Sequence, residues 1–471
     1  MLTAVLMTAM LIATMLIATG CAQSGAPAGN TGATGDSADA AEIDWEFYNG
    51  RAKEFVTAMS AGDFNAAVEM FDKTMKRALP AKSLQTGVWD VVTGQAGAFV
   101  SINKTENQAA QGYFICFVTS EHADKGVTLR VVFSKDGQVA GLFIDGYPDI
   151  NERASEPVRR EGFTDYPVTI GEGTEYPLSG LLSMPDSETG KVPAVVIVHG
   201  SGPQDMDLTI SGNKPYKDIA DYLAANGIAV IRYDKRTYAY KAKFDLSWTV
   251  REETIEDAIR AANMLKADSR IDENRVYIIG HSMGGMLAPR IQAEGGGFAG
   301  LILLAGSPRS MLDISKAQNI KAVEAMADGK DKDAAMASLE QWDEYYNSFL
   351  RLPDAEAKTT EVPGWGGASA YYFKDMNNHP AADYIKETDV PFLILQGAND
   401  LQVYADVDFT MYKDLLAGRP NVTYKLYDGL NHLFMQSAAK SIAELNDEYA
   451  VPGHVDSRVL ADIADWIKSV E

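Results

Sequence analysis

Apolar and polar positions divide the chain into stretches of different texture. Residues 1–20 carry no charge and are almost wholly apolar, and 21–43 are small and polar with no periodicity. Phe47, Ala52, Phe55, Val56 and Met59 recur at helical spacing up to Gly62, and Phe64, Ala67, Val68 and Phe71 repeat the pattern. Three β-rich runs follow, Tyr113–Thr119, Val127–Phe133 and Val139–Ile144. Lys135-Asp136-Gly137 reads as a hairpin turn between the last two. These elements predict a small α+β domain over 44–148. Its His122, beside Glu121 and Asp124, reads as a solvated turn histidine, and Cys116 as a buried strand residue.

After a polar linker at 149–165 the texture changes. Val168–Ile170 and Leu178–Met184 alternate around a glycine turn. Ala194–Val198, Ile228–Ile231, Val276–Ile279, Leu301–Leu304 and Phe392–Leu395 are short, continuous apolar runs, as in strands covered on both faces, and Val422–Leu426 reads as the last buried strand. Helical stripes lie between several of them, at Tyr216–Leu223 and Ile255–Leu265, and a terminal one runs through Val459, Ile463 and Trp466. This alternation predicts an α/β fold, a doubly wound and mostly parallel sheet over 166–471. Between 308 and 385 it breaks into a helix-prone insertion with Trp342, Tyr345, Tyr346, Trp365, Tyr371 and Tyr372. Such an insertion predicts a cap over the strand ends. Its rings either line a substrate site or form the cap's own core.

Chemistry concentrates where Val276–Ile279 runs into Gly280-His281-Ser282-Met283-Gly284 and then Met286-Leu287-Ala288. Strand, tight turn and helix with a serine at the apex is the pattern of a nucleophile elbow. Pro289 inside the following helix predicts a kink. Ser282 needs a base, and the chain has 6 histidines. His122 lies in the N-terminal domain, His199 and His281 in turns after buried strands, and His379 before a proline in the insertion. His454 sits beside Pro452 and Gly453. His432, in the loop after the last strand, fits a base in the order serine, acid, histidine. Asp400, just past Phe392–Leu395, is the natural acid, with Asp428 and Asp313 as competitors. The backbone N–H groups of Met283 and of Ser201, in His199-Gly200-Ser201-Gly202-Pro203-Gln204-Asp205, are candidates for an oxyanion hole.

With these parts in order, 166–471 resembles the α/β-hydrolase superfamily. It is most similar to extracytoplasmic serine esterases and serine aminopeptidase-like hydrolases, which share the oxyanion turn, a run like Arg232-Tyr233-Asp234-Lys235-Arg236, and the Gly-His-Ser-Met-Gly-Gly elbow. The resemblance implies Ser282, Asp400 and His432 as a catalytic triad. Thr237 departs from it, since relatives usually have glycine there. The N-terminal block resembles the small domain that often precedes hydrolase domains in bacterial lipoproteins. A small-molecule ester is the expected substrate, and a short peptide the alternative, with Glu340 or Asp343 as groups for a charged amino terminus.

Composition narrows the partners. A net charge of -23 disfavours nucleic acid. His, Cys and carboxylates do not cluster at ligand spacing, so no metal or organic cofactor is expected. Residues 1–20, ending Leu16-Ile17-Ala18-Thr19-Gly20-Cys21, resemble a lipoprotein signal cut before Cys21. They lack the basic start such signals carry, and Ala18 replaces the usual leucine. Acylated Cys21 would then anchor the protein outside the cytoplasmic membrane, with 21–43 as a tether. A membrane-spanning helix over the same residues is the alternative.

Overall fold

A computed structural model describes residues 43–110, 113–123, 126–146, 156–186, 190–240 and 245–470. The expected signal, Cys21 and nearly all of the tether lie outside them. The chain forms two compact units, divided between Ser155 and Glu156.

The N-terminal unit is a four-stranded antiparallel sheet in the order β1-β2-β3-β4, spanning Phe99–Ala110, Tyr113–His122, Gly126–Phe133 and Val139–Gly146. Helix α1 (Trp45–Ser60) starts at Asp44, whose carboxylate accepts the Phe47 N–H at 2.9 Å. It buries Tyr48, Ala52, Phe55, Val56 and Met59 against the core that the sheet's Cys116, Val118, Leu129 and Val131 supply. Strand β1 escaped the sequence reading because its residues are largely polar and few are buried. His122 corrects the expectation of a solvated turn. It closes β2 fully buried, with Nδ1 3.1 Å from Gly97 O and Nε2 3.2 Å from Ser120 Oγ. The rings of Trp89 and Phe99 enclose it, and burial lowers its pKa.

The second unit is a nine-stranded sheet in the order β13-β12-β11-β10-β8-β9-β7-β6-β5. It begins with β5 (Val158–Arg159), β6 (Phe163–Ile170) and β7 (Leu178–Pro185), which pair antiparallel. The sheet therefore starts inside the stretch read as linker. Asp165, a polar residue in that stretch, is buried and accepts Ser183 O–H across the sheet. Strands β8 (Val192–Val198), β9 (Ala229–Tyr233), β10 (Ile271–His281), β11 (Leu301–Leu304), β12 (Phe392–Gly397) and β13 (Val422–Tyr427) are mutually parallel. In β8, Ala194, Val196 and Val198 enter one core while Val195 and Ile197 enter another, which is why the run is apolar without alternation. Helices α2 (Pro215–Ala225), α3 (Arg236–Ala239) and α4 (Glu256–Ala267) lie in the connections β8–β9 and β9–β10, and α5 (Met283–Ile291) follows β10. Helix α5 carries on through Pro289 and passes into a π turn at Gln292–Gly296.

Between β11 and β12 the described residues form six helices, from Met311–Glu324 to Ala381–Glu387. Trp342, Tyr346, Tyr372 and Phe373 are buried there, with ring centroids 4.6 Å apart for Trp342–Tyr346 and 4.9 Å for Trp365–Phe373. Most of the insertion's aromatic rings thus pack on one another. The helix Ala370–Asn378, here α6, rests on α5: Arg290 binds Asp375 through both nitrogens, at 2.7 and 3.2 Å.

Candidate active site

Strand β10 and helix α5 meet in a turn too tight for side chains at its glycines. A Cβ on Gly280 would lie 2.2 Å from Gly284 O, and one on Gly284 would lie 2.4 Å from Val198 O. Between them Ser282 adopts φ 55°, ψ −117°, a conformation L-residues avoid and the surrounding structure must hold. Its own N–H is tied to Leu304 O at 2.8 Å. The side chain is thereby lifted out of the sheet at the start of α5, where Met283 N–H, as the first of the helix, has no intrahelical acceptor.

His432 is buried and its Nδ1 lies 2.7 Å from Asp400 Oδ2. Asp400 is itself fixed on every side. Oδ1 accepts the N–H groups of Gln402 and Val403 at 2.8 and 3.0 Å, and Oδ2 accepts Gln396 Nε2 at 2.9 Å. Of the competing acids, Asp428 is exposed, and the exposed Asp313 accepts Ser310 O–H on its own helix at 2.7 Å. With Nδ1 taken, Nε2 is the ring nitrogen left for chemistry. No hydrogen bond joins it to Ser282 Oγ among the described residues. Such bonds often tighten only when substrate arrives.

His281, read from sequence only as the variable residue of the elbow, ties three elements together. Its Nε2 donates to the carbonyl of His432 at 2.9 Å, which leaves Nδ1 to accept Tyr216 O–H at 3.2 Å. Burial and the neighbouring His432 lower its pKa to about 3, so the ring is neutral in this role. Tyr216 in turn accepts Gly200 N–H at 3.3 Å, and Gln204 Oε1 accepts it at 3.1 Å. Gly200 N–H is thus occupied, whereas Ser201 N–H has no acceptor among the described residues. Gly200 lies beside Ser282: a Cβ there would be 3.3 Å from that of the serine.

Lys235, Glu253 and Tyr372 are also buried here; Lys235 lies in the run shared with related hydrolases and Tyr372 among the insertion's rings, but nothing in the sequence marked Glu253. Thr237, the departure from relatives, sits in α3 and donates to Glu253 Oε1 at 3.4 Å. His454 is far more exposed and pairs with Asp218. Among the described residues no group of three or more His, Cys, Asp or Glu could hold a metal ion. The arrangement offers a strained serine, an acid-oriented histidine and two free N–H groups, the parts that acyl transfer requires.

Residues 52–142 match a family described as a protein of unknown function (DUF3887). Esterase EstD of Thermotoga maritima is 33% identical over 416 residues, covering 88% of this chain and 93% of its own length. Among solved structures, Est1E from Butyrivibrio proteoclasticus is 16% identical with a TM-score of 0.39, over 63% of this chain and 99% of that one. A puromycin-hydrolyzing peptidase of Mycobacterium tuberculosis is also 16% identical, at a TM-score of 0.43, over 79% of this chain and 48% of its own. Residues 195–445 match the alpha/beta hydrolase family, and with the sheet order and elbow described above, the chain belongs to that family of hydrolases.

Proposed function

We propose that this protein is a serine esterase, cleaving carboxylic esters through an acyl-enzyme, and that lipid on Cys21 holds it outside the cytoplasmic membrane. The observation that carries the catalytic reading is the buried Asp400–His432 contact at 2.7 Å, with the His432 carbonyl held by His281, the residue next to Ser282. Ser282 Oγ attacks the ester carbonyl and passes its proton to His432 Nε2. Asp400 holds Nδ1–H and stabilises the imidazolium that forms. The N–H groups of Ser201 and Met283 receive the tetrahedral oxyanion. Collapse expels the alcohol, which leaves with the proton from His432. Water then gives a proton to His432 and attacks the acyl carbon. The acid departs as Ser282 recovers its proton.

Esters are favoured over peptides because the relative with 93% coverage is named an esterase. Glu340 and Asp343 are exposed, and Asp343 pairs with Lys316 at 2.7 Å, so neither is set aside for an amino terminus. The tether rests on the apolar stretch that ends at Cys21.

Ser282→Ala is expected to lower hydrolysis of short-chain aryl esters by about ten-thousand-fold or more while the circular dichroism spectrum stays unchanged. An unchanged rate would move the nucleophile elsewhere. Faster turnover of aminoacyl amides than of aryl esters by the intact protein would replace esterase with peptidase. Incorporation of labelled palmitate into the intact chain but not into Cys21→Ser supports the anchor. Equal labelling of both, or of neither, refutes it.

A further inference from the structure

The Gly200–Ser201 peptide is gripped from behind by a buried cation. Lys235 is 1% exposed, and its ammonium has three donors and three acceptors: Gly200 O at 2.8 Å, Gly202 O at 3.1 Å and Glu253 Oε1 at 2.8 Å. A peptide unit is planar and trans, so its C=O and N–H point in opposite directions. Whatever fixes Gly200 O therefore also sets the direction of Ser201 N–H. Glycine on both sides of Ser201 leaves this peptide little steric resistance to rotation. A flipped peptide would aim a carbonyl oxygen, not an N–H, toward a forming oxyanion. A cation on the carbonyl end also polarises the unit and strengthens the N–H as a donor.

The cation is not held by its own loop. Glu253 lies just ahead of α4, and its second oxygen accepts Tyr372 O–H at 2.6 Å. Tyr372 belongs to α6 of the inserted cap. The same phenolic oxygen is 3.5 Å from Sδ of Met283, the residue whose N–H is the other oxyanion donor. Both donors thus rest on supports that Tyr372 touches.

Accepting the esterase reading of Ser282, we propose that Lys235, held by Glu253 and through it by Tyr372, is a positioning residue that sets the oxyanion peptide. Seating of the cap and readiness of the oxyanion hole are then one event. The protein senses whether its cap is docked through a single buried chain of contacts: phenol, carboxylate, ammonium, carbonyl.

Tyr372→Phe tests this with little risk to the fold, because it removes one hydroxyl. The expected result is a kcat about tenfold lower with KM within threefold, since one bond in the chain of supports is lost. The Ki of a trifluoromethyl ketone, which forms an oxyanion adduct with a serine, should rise by the same factor as kcat/KM falls. The melting temperature should move by no more than a few degrees. The double variant Lys235→Met/Glu253→Gln, which leaves no unpaired buried charge, should lose about a hundredfold or more in kcat. Tyr372→Phe with unchanged kcat and unchanged ketone Ki overturns the proposal, whether or not the double variant folds. Loss of activity without loss of ketone affinity overturns it as well. Ser282→Ala run alongside separates the two readings: if it remains active, the esterase assignment fails. If it is dead while Tyr372→Phe is normal, only the positioning role fails.

Discussion

The elbow at Ser282 and the turn at Gly200–Ser201 lie side by side, yet different forces hold them. At the elbow, backbone approaches backbone, and two glycines are required because any Cβ would collide within 2.4 Å. At the turn there is more space: a Cβ on Gly200 would come no nearer than 3.2 Å to a neighbour, and one on Gly202 would meet nothing within 4 Å, although its φ is +77°. Order there comes from side chains, Gln204 of the turn itself and, from elsewhere in the chain, Tyr216 and Lys235. One part of the site is set by local sterics, and the other by buried polar contacts between distant segments. Motifs can reveal the first kind of geometry, but not the second.

The comparison can be broken in three ways. The largest effect belongs to the acid that serves the elbow. Asp400→Asn keeps the shape but removes the charge beside His432, and should lower the aryl-ester rate by about ten-thousand-fold with little change in melting temperature. A loss under tenfold would mean that the pair is structural. Next come the glycines. Gly284→Ala drives a Cβ against Val198 O and His199 O, so denaturant titration should show a loss of about 3 kcal/mol or more. Gly202→Ala meets only an unfavourable φ and should lose about 1 kcal/mol. Equal losses would erase the distinction between the two regions.

The third effect is graded with pH. His199, which opens the turn, and His281, in the elbow, have pKa values near 3. Burial lowers both, with Lys235 beside the first and His432 beside the second. Unfolded histidine titrates near 6.5, so between 6.5 and 3 the unfolded chain binds more protons. Their contribution is complete above pH 6.5 and is lost as pH falls toward 3, on the order of a few kcal/mol for each ring. Urea unfolding at pH 7, 5.5 and 4.5 should show this decline. Stability that is flat or rising on acidification contradicts it.

Legibility in the sequence followed the same division. Buried parallel strands announce themselves as unbroken apolar runs, so β8 to β12 were readable from texture alone, whereas β13, expected to be buried, is an edge strand with Thr423 and Lys425 in it and only Tyr427 buried. The elbow was readable because its glycines and serine are neighbours in the chain. Strand β1 was not, since an edge strand with polar residues on it carries no apolar alternation. His122 was misread because acidic neighbours imply solvent, whereas its ring turns inward against Trp89 and Phe99. Glu253 and Tyr372 are 119 positions apart, and no spacing rule connects them. Thr237 looked like a defect in a motif until its hydroxyl was seen on Glu253.

The central claim is that Ser282 is the nucleophile of this assembly. Incubating the intact protein with a fluorophosphonate and mapping the adduct by peptide mass spectrometry tests it directly. The account predicts one stoichiometric adduct, on Ser282, that appears in step with loss of esterase activity and is absent from Ser282→Ala. An adduct on another residue, or full loss of activity with Ser282 unmodified, would contradict it.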